Sequence, residues 1–411
     1  MEIRKLTKED FLQYEGVCQS VFFDLARTDI REREQMQAQN IDDPSPTFGD
    51  KDAITWGAFD TSGNLVSGLA INPYTMRMNG HNVKMGGIAL VATLPEARGQ
   101  GLVNKIMEKA FPEMIDTGQT FSYLFPFSYS YYRMFGYEIC NTNNNVKIPI
   151  AQFKNYPYPQ NIQQHKPSND ITPFVNIYET FAEKRNLSFV RSQKNWEDML
   201  NRDHFKNLDF TYLNYDETGI PNAYVLYKAE KIGDHQHTVR VNELCWSNPS
   251  GLHSIFGFFG KLSAEYDSVS WNAPSDINVH ALFPESYAPS WQKHSSGMNR
   301  ILSVPAALKT LRAPGLGAIS SGKVVIEVTD NYWHANTGSY LIEWDSTHIT
   351  KVEKTSANPD MSTSIQTLAQ LVTGYLTPAE AMLKMDTSIY SNQLLLDALF
   401  PRQLLYMYEG F

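Results

Sequence analysis

Gly86-Gly87-Ile88-Ala89-Leu90-Val91-Ala92-Thr93 leads shortly into Arg98-Gly99-Gln100-Gly101-Leu102-Val103, and the reading of this stretch decides the fold. The first segment is a short apolar run, as a buried central strand requires. After the second, Leu102, Ile106, Ala110 and Met114 recur four apart with Val103, Met107 and Phe111 beside them, which predicts a helix with one apolar face. A strand, a loop bearing Arg and Gly, and a helix start gather several unpaired backbone N–H groups around one point. The positive end of the helix dipole adds to them, so an anion is expected there. Gly99 and Gly101 lack Cβ and let the main chain approach that anion closely. Neither the nucleotide loop G-x-x-x-x-G-K-S/T nor G-x-G-x-x-G follows the strand. A plain glycine turn between strand and helix is the other reading of the same residues.

Working outward, Thr7 is placed as the N-cap of a helix carrying Phe11, Tyr14, Val17, Cys18 and Val21. Residues 54–59 and 65–71 read as strands joined by a turn at Asp60-Thr61-Ser62-Gly63, and Asn79-Gly80 marks a tight hairpin into the central strand. Residues 120–127 supply a further strand. Residues 151–164, with Pro157 and Pro159, lose periodicity and read as a linker. Beyond them a second α-to-β progression repeats the order of the first 120 residues: helices over 173–184 and 196–201, strands over 209–213, 223–229 and 239–246, and a helix over 250–262. Its junction at Trp246-Ser247-Asn248-Pro249-Ser250-Gly251 lacks Arg-x-x-Gly, so this repeat is expected to be degenerate and to leave the anion unbound.

From about residue 291 the pattern becomes an antiparallel sheet (323–328, 339–344, 348–354) followed by three helices. Thr363 and Gln366 are spaced as a capping box ahead of a stop at Gly374. Thr377, Pro378 and Glu380 mark the next helix start, and the last helix runs over 393–400. Ile365, Leu368, Leu371 and Val372 form an apolar stripe that either encloses an apolar ligand or buries a core.

The chain has 411 residues, enough for two to three domains, and divides into 1–150, 151–290 and 291–411. Its formal charge of -9, pI of about 5.6 and mean hydropathy of -0.37 argue against nucleic acid or an anionic membrane as partner and suit cationic small substrates. Cys18, Cys140 and Cys245 are far apart and odd in number, which disfavours disulfides and a zinc cluster. The ten His residues contain no H-E-x-x-H pair, and His235 and His237 lie in a polar turn, so no metal is expected. With neither an apolar leader nor a run of about 18 apolar residues, a cytoplasmic location is expected.

The loop resembles the R-x-x-G-x-G/A pyrophosphate loop of GCN5-related N-acetyltransferases, except that Val103 stands where Gly or Ala is usual. The three parts together resemble the Eis (enhanced intracellular survival) family. The stretches that carry this are Val91-Ala92-Thr93-Leu94-Pro95 with Arg98 to Val103, Tyr132-Arg133-Met134-Phe135-Gly136-Tyr137, Val304-Pro305-Ala306-Ala307-Leu308, and the terminal Phe411. The resemblance implies an α+β chain of two tandem acetyltransferase domains, the second degenerate, followed by a sterol-carrier-protein-like domain. It implies acetyl-coenzyme A as co-substrate, an amine acceptor such as an aminoglycoside, polyamine or lysyl group, and a homo-oligomer, a hexamer in the family.

Residue by residue, the resemblance places the pyrophosphate on Arg98, Gly99, Gln100, Gly101, Leu102, Val103 and Asn104. The pantetheine arm falls on the main chain of Val91, Ala92 and Thr93, where amides can stabilise an oxyanion. Phe127 and Ser128, read as the end of the next strand, match positions that line the cofactor. Tyr132 matches the general acid, although an aromatic stretch holding Tyr123, Tyr129, Tyr131 and Tyr137 would equally bury it as structure. A phenol of pKa about 10 protonates a thiolate of pKa about 8.5 uphill by roughly 2 kcal/mol, so the proton must move as the C–S bond breaks or neighbours must lower the phenol. In the family the terminal carboxylate, here that of Phe411, reaches the first domain and helps deprotonate the amine; a frayed tail is the alternative. Asp24 and Glu409 read either as attractors of a cation or as solvated acids. Two rival functions remain: a lipid or apolar-ligand binder acting through residues 291–411, and an aminoacyltransferase of the peptidoglycan-bridge type, which the acidic balance and the Arg98–Gly101 loop disfavour.

Overall fold

The computed structural model describes residues 1–22, 53–167, 169–201, 208–234, 236–285, 287–314 and 320–411. Its first part runs β1 (Glu2–Lys5), α1 (Phe11–Val21), β2 (Ile54–Phe59), β3 (Leu65–Met78), β4 (His81–Thr93), α2 (Leu102–Asp116), β5 (Phe121–Leu124), α3 (Tyr129–Arg133), β6 (Glu138–Ile139) and β7 (Thr142–Pro149). Local chemistry sets its turns. Asp10 accepts hydrogen bonds from the N–H and hydroxyl of Thr7 at 2.7 and 3.0 Å, and Arg4, bonded to it at 2.6 Å, holds its carboxyl down to about 2. Asp60 Oδ1 accepts from Ser62 and Asn64 N–H, each at 2.8 Å. Asn79 and Gly80 carry φ of 52° and 87°, the left-handed pair a two-residue hairpin needs.

The second part holds β8 (Asn161–Gln164), α4 (Thr172–Ala182), β9 (Arg185–Asn186), α5 (Gln193–Leu200), β10 (Asp209–Tyr215), β11 (Pro221–Lys231), β12 (His237–Trp246), α6 (Pro249–Lys261), β13 (Ser268–Pro274) and β14 (Ser290–Ser295). The third holds β15 (Met298–Ile301), α7 (Val304–Leu308), β16 (Gly322–Thr329), β17 (Gly338–Trp344), β18 (Ile349–Thr355), β19 (Met361–Ser364), α8 (Ile365–Thr373), α9 (Pro378–Ala381), β20 (Ser388–Ile389), α10 (Gln393–Leu399) and β21 (Leu404–Leu405).

Three main sheets form, ordered β1-β2-β3-β4-β5-β15-β6, β14-β7-β13-β12-β11-β10-β8 and β18-β17-β16-β19-β20. Each of the first two contains one parallel pair, β4 with β5 and β12 with β13. Strands cross between them. β7 precedes residue 150 yet pairs with β13 and β14, whereas β15 follows residue 291 yet fills the first sheet between β5 and β6.

Several local expectations are corrected. The predicted linker is ordered: Phe153 is fully buried against Phe256, Phe259 and Phe283, and β8 pairs with β10. The strand predicted over 120–127 ends at Leu124, so Phe127 and Ser128 lie beyond it. The hydroxyl that caps α8 belongs to Ser364, which accepts from Thr367 N–H at 3.1 Å; Thr363 sits one residue earlier on β19 and bonds Thr387 instead. The Thr377–Glu380 box forms as read, Glu380 accepting from Thr377 N–H at 2.8 Å. Ile365, Leu368, Leu371 and Val372 are at most 1% exposed and pack with Val324, Ile326 and Ile342 in a core that reaches Met76, Met85 and Phe121 of the first sheet. The stripe is core. Among the described residues no helix is long and apolar enough to cross a membrane.

Candidate active site

β4 and β5 pair in parallel from Met85↔Phe121 to Ile88↔Leu124 and then part. β4 stays on β3, but between the Ala70↔Ala89 and Gly68↔Ala92 pairs it carries an extra residue, a bulge at which Leu90 takes φ of 51°. A left-handed leucine costs about 1 kcal/mol or more and persists because its surroundings hold it. Here the Tyr14 hydroxyl of α1 donates to Leu90 O at 2.8 Å. Beyond the bulge, Ala92 and Thr93 pair with β3 alone, and Val91, Ala92 and Thr93 have no partner strand on the β5 side; this unpaired fork between β4 and β5 is the wedge.

The loop of residues 94–101 follows directly. Pro95–Ala97 form a helical turn, and Arg98 is exposed with its Nε donating to Thr93 O at 3.3 Å. Gly99 and Gly101 take φ of 78° and 69°, and nothing lies within 4 Å of the point where either Cβ would stand. The first helical amide to find an acceptor is Lys105, bonded to Gly101 O at 3.2 Å. From Gly99 to Asn104 the amides donate to no described residue, so an N-terminal array of donors opens outward. Leu102 and Val103 are buried in the core with Ile106 and Met107, so they offer only main-chain N–H. That burial explains how Val103 replaces a small residue without blocking the loop. The Asn104 side chain turns to Glu108 at 2.8 Å.

The second part shows the contrast. β12 leaves β13 after Val241↔Trp271, but its helix begins directly at Pro249. Asn248 Oδ1 accepts from Gly251 N–H at 3.0 Å, and a Cβ on Gly251 would stand 2.5 Å from Asn222 O. That helix end is capped by its own chain and shut against β11.

Tyr132 lies on α3, whose N-cap is Ser128, with Oγ accepting from Tyr131 N–H at 3.4 Å. Its ring is 2% exposed and contacts Phe127, Tyr131, Phe135 and Tyr137 at centroid distances of 5.3 to 6.4 Å. Burial pushes the Tyr132 phenol well above its ordinary value, and Tyr131 and Tyr137 push the same way. No neighbour among the described residues lowers it. Phe127 is 71% exposed.

Phe411 sits on the first sheet, against Tyr74 (5.0 Å), Phe125 (5.3 Å), Phe189 (6.1 Å, stacked) and Tyr123 (6.4 Å). A Cβ on Gly87 would stand 2.6 Å from the Phe411 ring and 2.8 Å from that of Tyr74, so any larger residue there would have to push these rings aside. Gly87 lies one residue before Ile88, where the wedge opens. Sequence reasoning missed Gly87, although a Gly-Gly pair inside a strand signals close approach by another segment. Glu409 is an inward-turned acid rather than a solvated one, bonded to Arg191 Nε at 2.7 Å. Asp24 and His235 lie outside the described residues. Among the described residues no group of three or more His, Cys, Asp or Glu could hold a metal.

Comparison with known families matches residues 2–140 to an acetyltransferase (GNAT) domain, 187–301 to a second acetyltransferase (GNAT) domain, and 304–408 to a sterol carrier protein domain. No curated protein matches the chain. Among solved structures, a probable N-acyltransferase from Enterococcus faecalis shares 21% identity and a TM-score of 0.83 over 98% of this chain and 97% of its own. A GCN5-related N-acetyltransferase from Anabaena variabilis shares 20% identity and a TM-score of 0.83 over 100% of both chains. Eis1 from Mycobacterium abscessus shares 18% identity and a TM-score of 0.78, again over 100% of both. At these identities the likeness is one of fold. Together with the domain matches it defines the class: the chain is an N-acetyltransferase with two acetyltransferase domains followed by a sterol-carrier-protein domain. Domains of this class take acetyl-coenzyme A as donor.

Proposed function

We propose that the first domain transfers the acetyl group of acetyl-coenzyme A directly to a primary amine of a cationic small molecule or lysyl group, in the manner of the Eis family. The observation that carries this reading is the open array of amides from Gly99 to Asn104 beside the unpaired side of β4. The donor supplies the thioester and two linked phosphates. The phosphates fit the array, where Gly99 and Gly101 leave room and Arg98 adds a cation. The main chain of Val91, Ala92 and Thr93 offers the acyl arm the hydrogen bonds a neighbouring strand would otherwise take.

Tyr132 then acts as acid. Its raised phenol stays protonated at neutral pH, and its proton is given up only as the C–S bond breaks, when the sulfur is most basic. Direct transfer is favoured over a covalent enzyme intermediate because Cys18, Cys140 and Cys245 are all buried and burial pushes each thiol up, Cys18 to about 12. An activated cysteine needs the opposite shift. The Phe411 ring forms the wall opposite the donor, where the acceptor would lie. Its suggested carboxylate base rests on the family resemblance, while the seat of its ring rests on geometry.

Mixing the protein with acetyl-coenzyme A and polyamines, aminoglycosides and lysyl peptides should release free thiol with at least one acceptor. No release across the panel, with no acetyl-coenzyme A binding by calorimetry, would refute the reading. The alternative, an apolar-ligand binder acting through the third domain, has its family match in its favour, but the helix stripe it would use is spent in the core.

A further inference from the structure

The last residues of the sequence run along the seam between the three parts. β21 pairs in parallel with β9, and Tyr406 N–H donates to Asn186 O at 3.0 Å. The next residues of the β9 segment bond β3: Leu187 N–H to Arg77 O, Arg77 N–H to Ser188 O and Val190 N–H to Thr75 O, each at 2.8 Å. Side chains of the tail then alternate. Leu405 and Met407 enter the core shared by the first and third parts, whereas Tyr406 enters the helical core of the second. The Tyr408 hydroxyl donates to Val241 O at 3.3 Å, at the point where β12 leaves β13.

Glu409 ends this run in a buried charge cluster. Its Oε1 takes the Arg191 Nε hydrogen at 2.7 Å and is approached by the Tyr178 hydroxyl at 3.3 Å. The Arg191 guanidinium carbon lies 3.9 Å from the centre of the Tyr178 ring and 4.8 Å from that of Trp196, and the group pairs with Glu243 at 3.0 Å. Glu243 is held in turn by the Tyr224 hydroxyl at 2.9 Å. The Arg191 and Glu243 side chains are 5% and 2% exposed, that of Glu409 17%. One cation facing two buried carboxylates is poor material for stability alone, since desolvation consumes most of the attraction. The second oxygen of Glu409 is buried with no partner among the described residues, which adds to that cost. Two residues beyond Glu409, the Phe411 ring meets Gly87.

We propose that Arg191 is a positioning residue: by fixing Glu409 it seats Phe411 on the first domain's wedge, so the second domain serves as the anchor of the acceptor wall. Glu243, which grips Arg191, lies just past the bulge of β12, the place in the second sheet that corresponds to Leu90 and Val91 in the first. The degenerate domain's own wedge is thus filled by the anchor. This inference rests on the reading of the first wedge as the acceptor site.

The test compares the full chain with Glu409→Ala and Glu409→Gln by hydrogen exchange of residues 404–411, and by steady-state transfer. Glu409→Ala should speed exchange of the tail about tenfold or more. It should lower kcat/KM for the amine about tenfold while the KM for acetyl-coenzyme A holds, a split that general loosening of the fold would not give. Glu409→Gln, whose carbonyl still accepts from Arg191, should recover most of both. Unchanged tail exchange in Glu409→Ala would overturn the proposal, as would a loosened tail with unaltered transfer, or a Gln variant no better than Ala. A wild-type protein that acetylates no amine refutes the functional reading instead, and the exchange measurement still decides whether Arg191 holds the tail.

Discussion

Gly101→Asp separates an anion loop from a mere turn. The fold should tolerate it: nothing lies within 4 Å of the new Cβ, and the cost is that of a left-handed φ of 69°, about 1 kcal/mol and less for Asp than for most residues. A carboxylate at a helix N-terminus recovers about 0.3–1 kcal/mol through the dipole, so melting should shift little. Binding should not survive. The carboxylate would occupy the donors meant for the phosphates and face their charge. Two unit charges about 4 Å apart interact by about 1 kcal/mol in bulk water and about 4 kcal/mol near a protein surface. Even the lower part of that range, doubled for two phosphates, weakens acetyl-coenzyme A about thirtyfold or more, before the lost hydrogen bonds are counted. Gly101→Ala carries the backbone strain without the charge and should weaken binding less than tenfold. Calorimetric titration with acetyl-coenzyme A, alongside circular-dichroism melts, measures both. A folded Gly101→Asp protein binding within threefold of wild type would show that the phosphates bind elsewhere.

Tyr132→Phe should leave acetyl-coenzyme A affinity unchanged and lower kcat about a hundredfold, as loss of a general acid does; because burial raises the Tyr132 phenol, the wild-type rate should show no falling limb from this group up to pH about 10, and such a limb would argue against the role. Gly87→Ala places a Cβ 2.6 Å from Phe411 and 2.8 Å from Tyr74, so it should lower acceptor kcat/KM with donor KM unmoved, at an overpacking cost of about 1–3 kcal/mol read from denaturant unfolding. Asp10→Asn removes a carboxyl held at about 2 instead of 3.8, which corresponds to about 2 kcal/mol. The folded value is the lower one, so this stability is present above pH about 4, fades as pH falls toward 2, and should make the variant's melting curves merge with wild type in acid. A chain cut after residue 141 loses β15 and should expose the far edge of β5, giving aggregation rather than a free domain by light scattering.

What the sequence made legible is what a few neighbouring residues decide by themselves. Asn79-Gly80, the Asp60 turn, the Thr377–Glu380 box and the two glycines of the loop each carry their conformation in their side chains, or in the lack of one. The cap of α8 was misplaced by one residue because Thr363 and Ser364 both bear hydroxyls, and only the direction of β19, which sends Thr363 inward to Thr387, assigns the cap to Ser364. Phe153 turns an aperiodic Pro-bearing stretch into packed structure through rings about a hundred residues away, beyond the reach of any local pattern. β15 is four residues long and pairs with strands about 160 to 180 residues earlier, so nothing near it in sequence names its sheet. The seat of Phe411 was expected only through the family resemblance, although Gly87 carried a physical trace of it.

The wedge is a property of all three parts rather than of the first. One wall, β5, has four residues and could not hold its angle alone. Its outer side is paired by β15, and just before that strand the Tyr123 hydroxyl donates to Ser296 O at 2.9 Å while Gly297, with φ of 56°, leaves the space the Tyr123 ring needs. β15 is fixed in turn by Arg300, wholly buried and bonded at 2.6 Å to Asp330 just after β16 in the third part. Removing one partner of such a pair strands a buried charge at a cost of about 3–5 kcal/mol. Over the paired part of β4 and β5, against Gly87, Tyr123 and Phe125, lies Phe411, reached through the tail that β9 and Arg191 hold. On the proposed reading, acetyl transfer draws on a sheet that the third part completes and a tail that the second anchors, which gives the second domain, whose own helix start is shut, a physical role in the first.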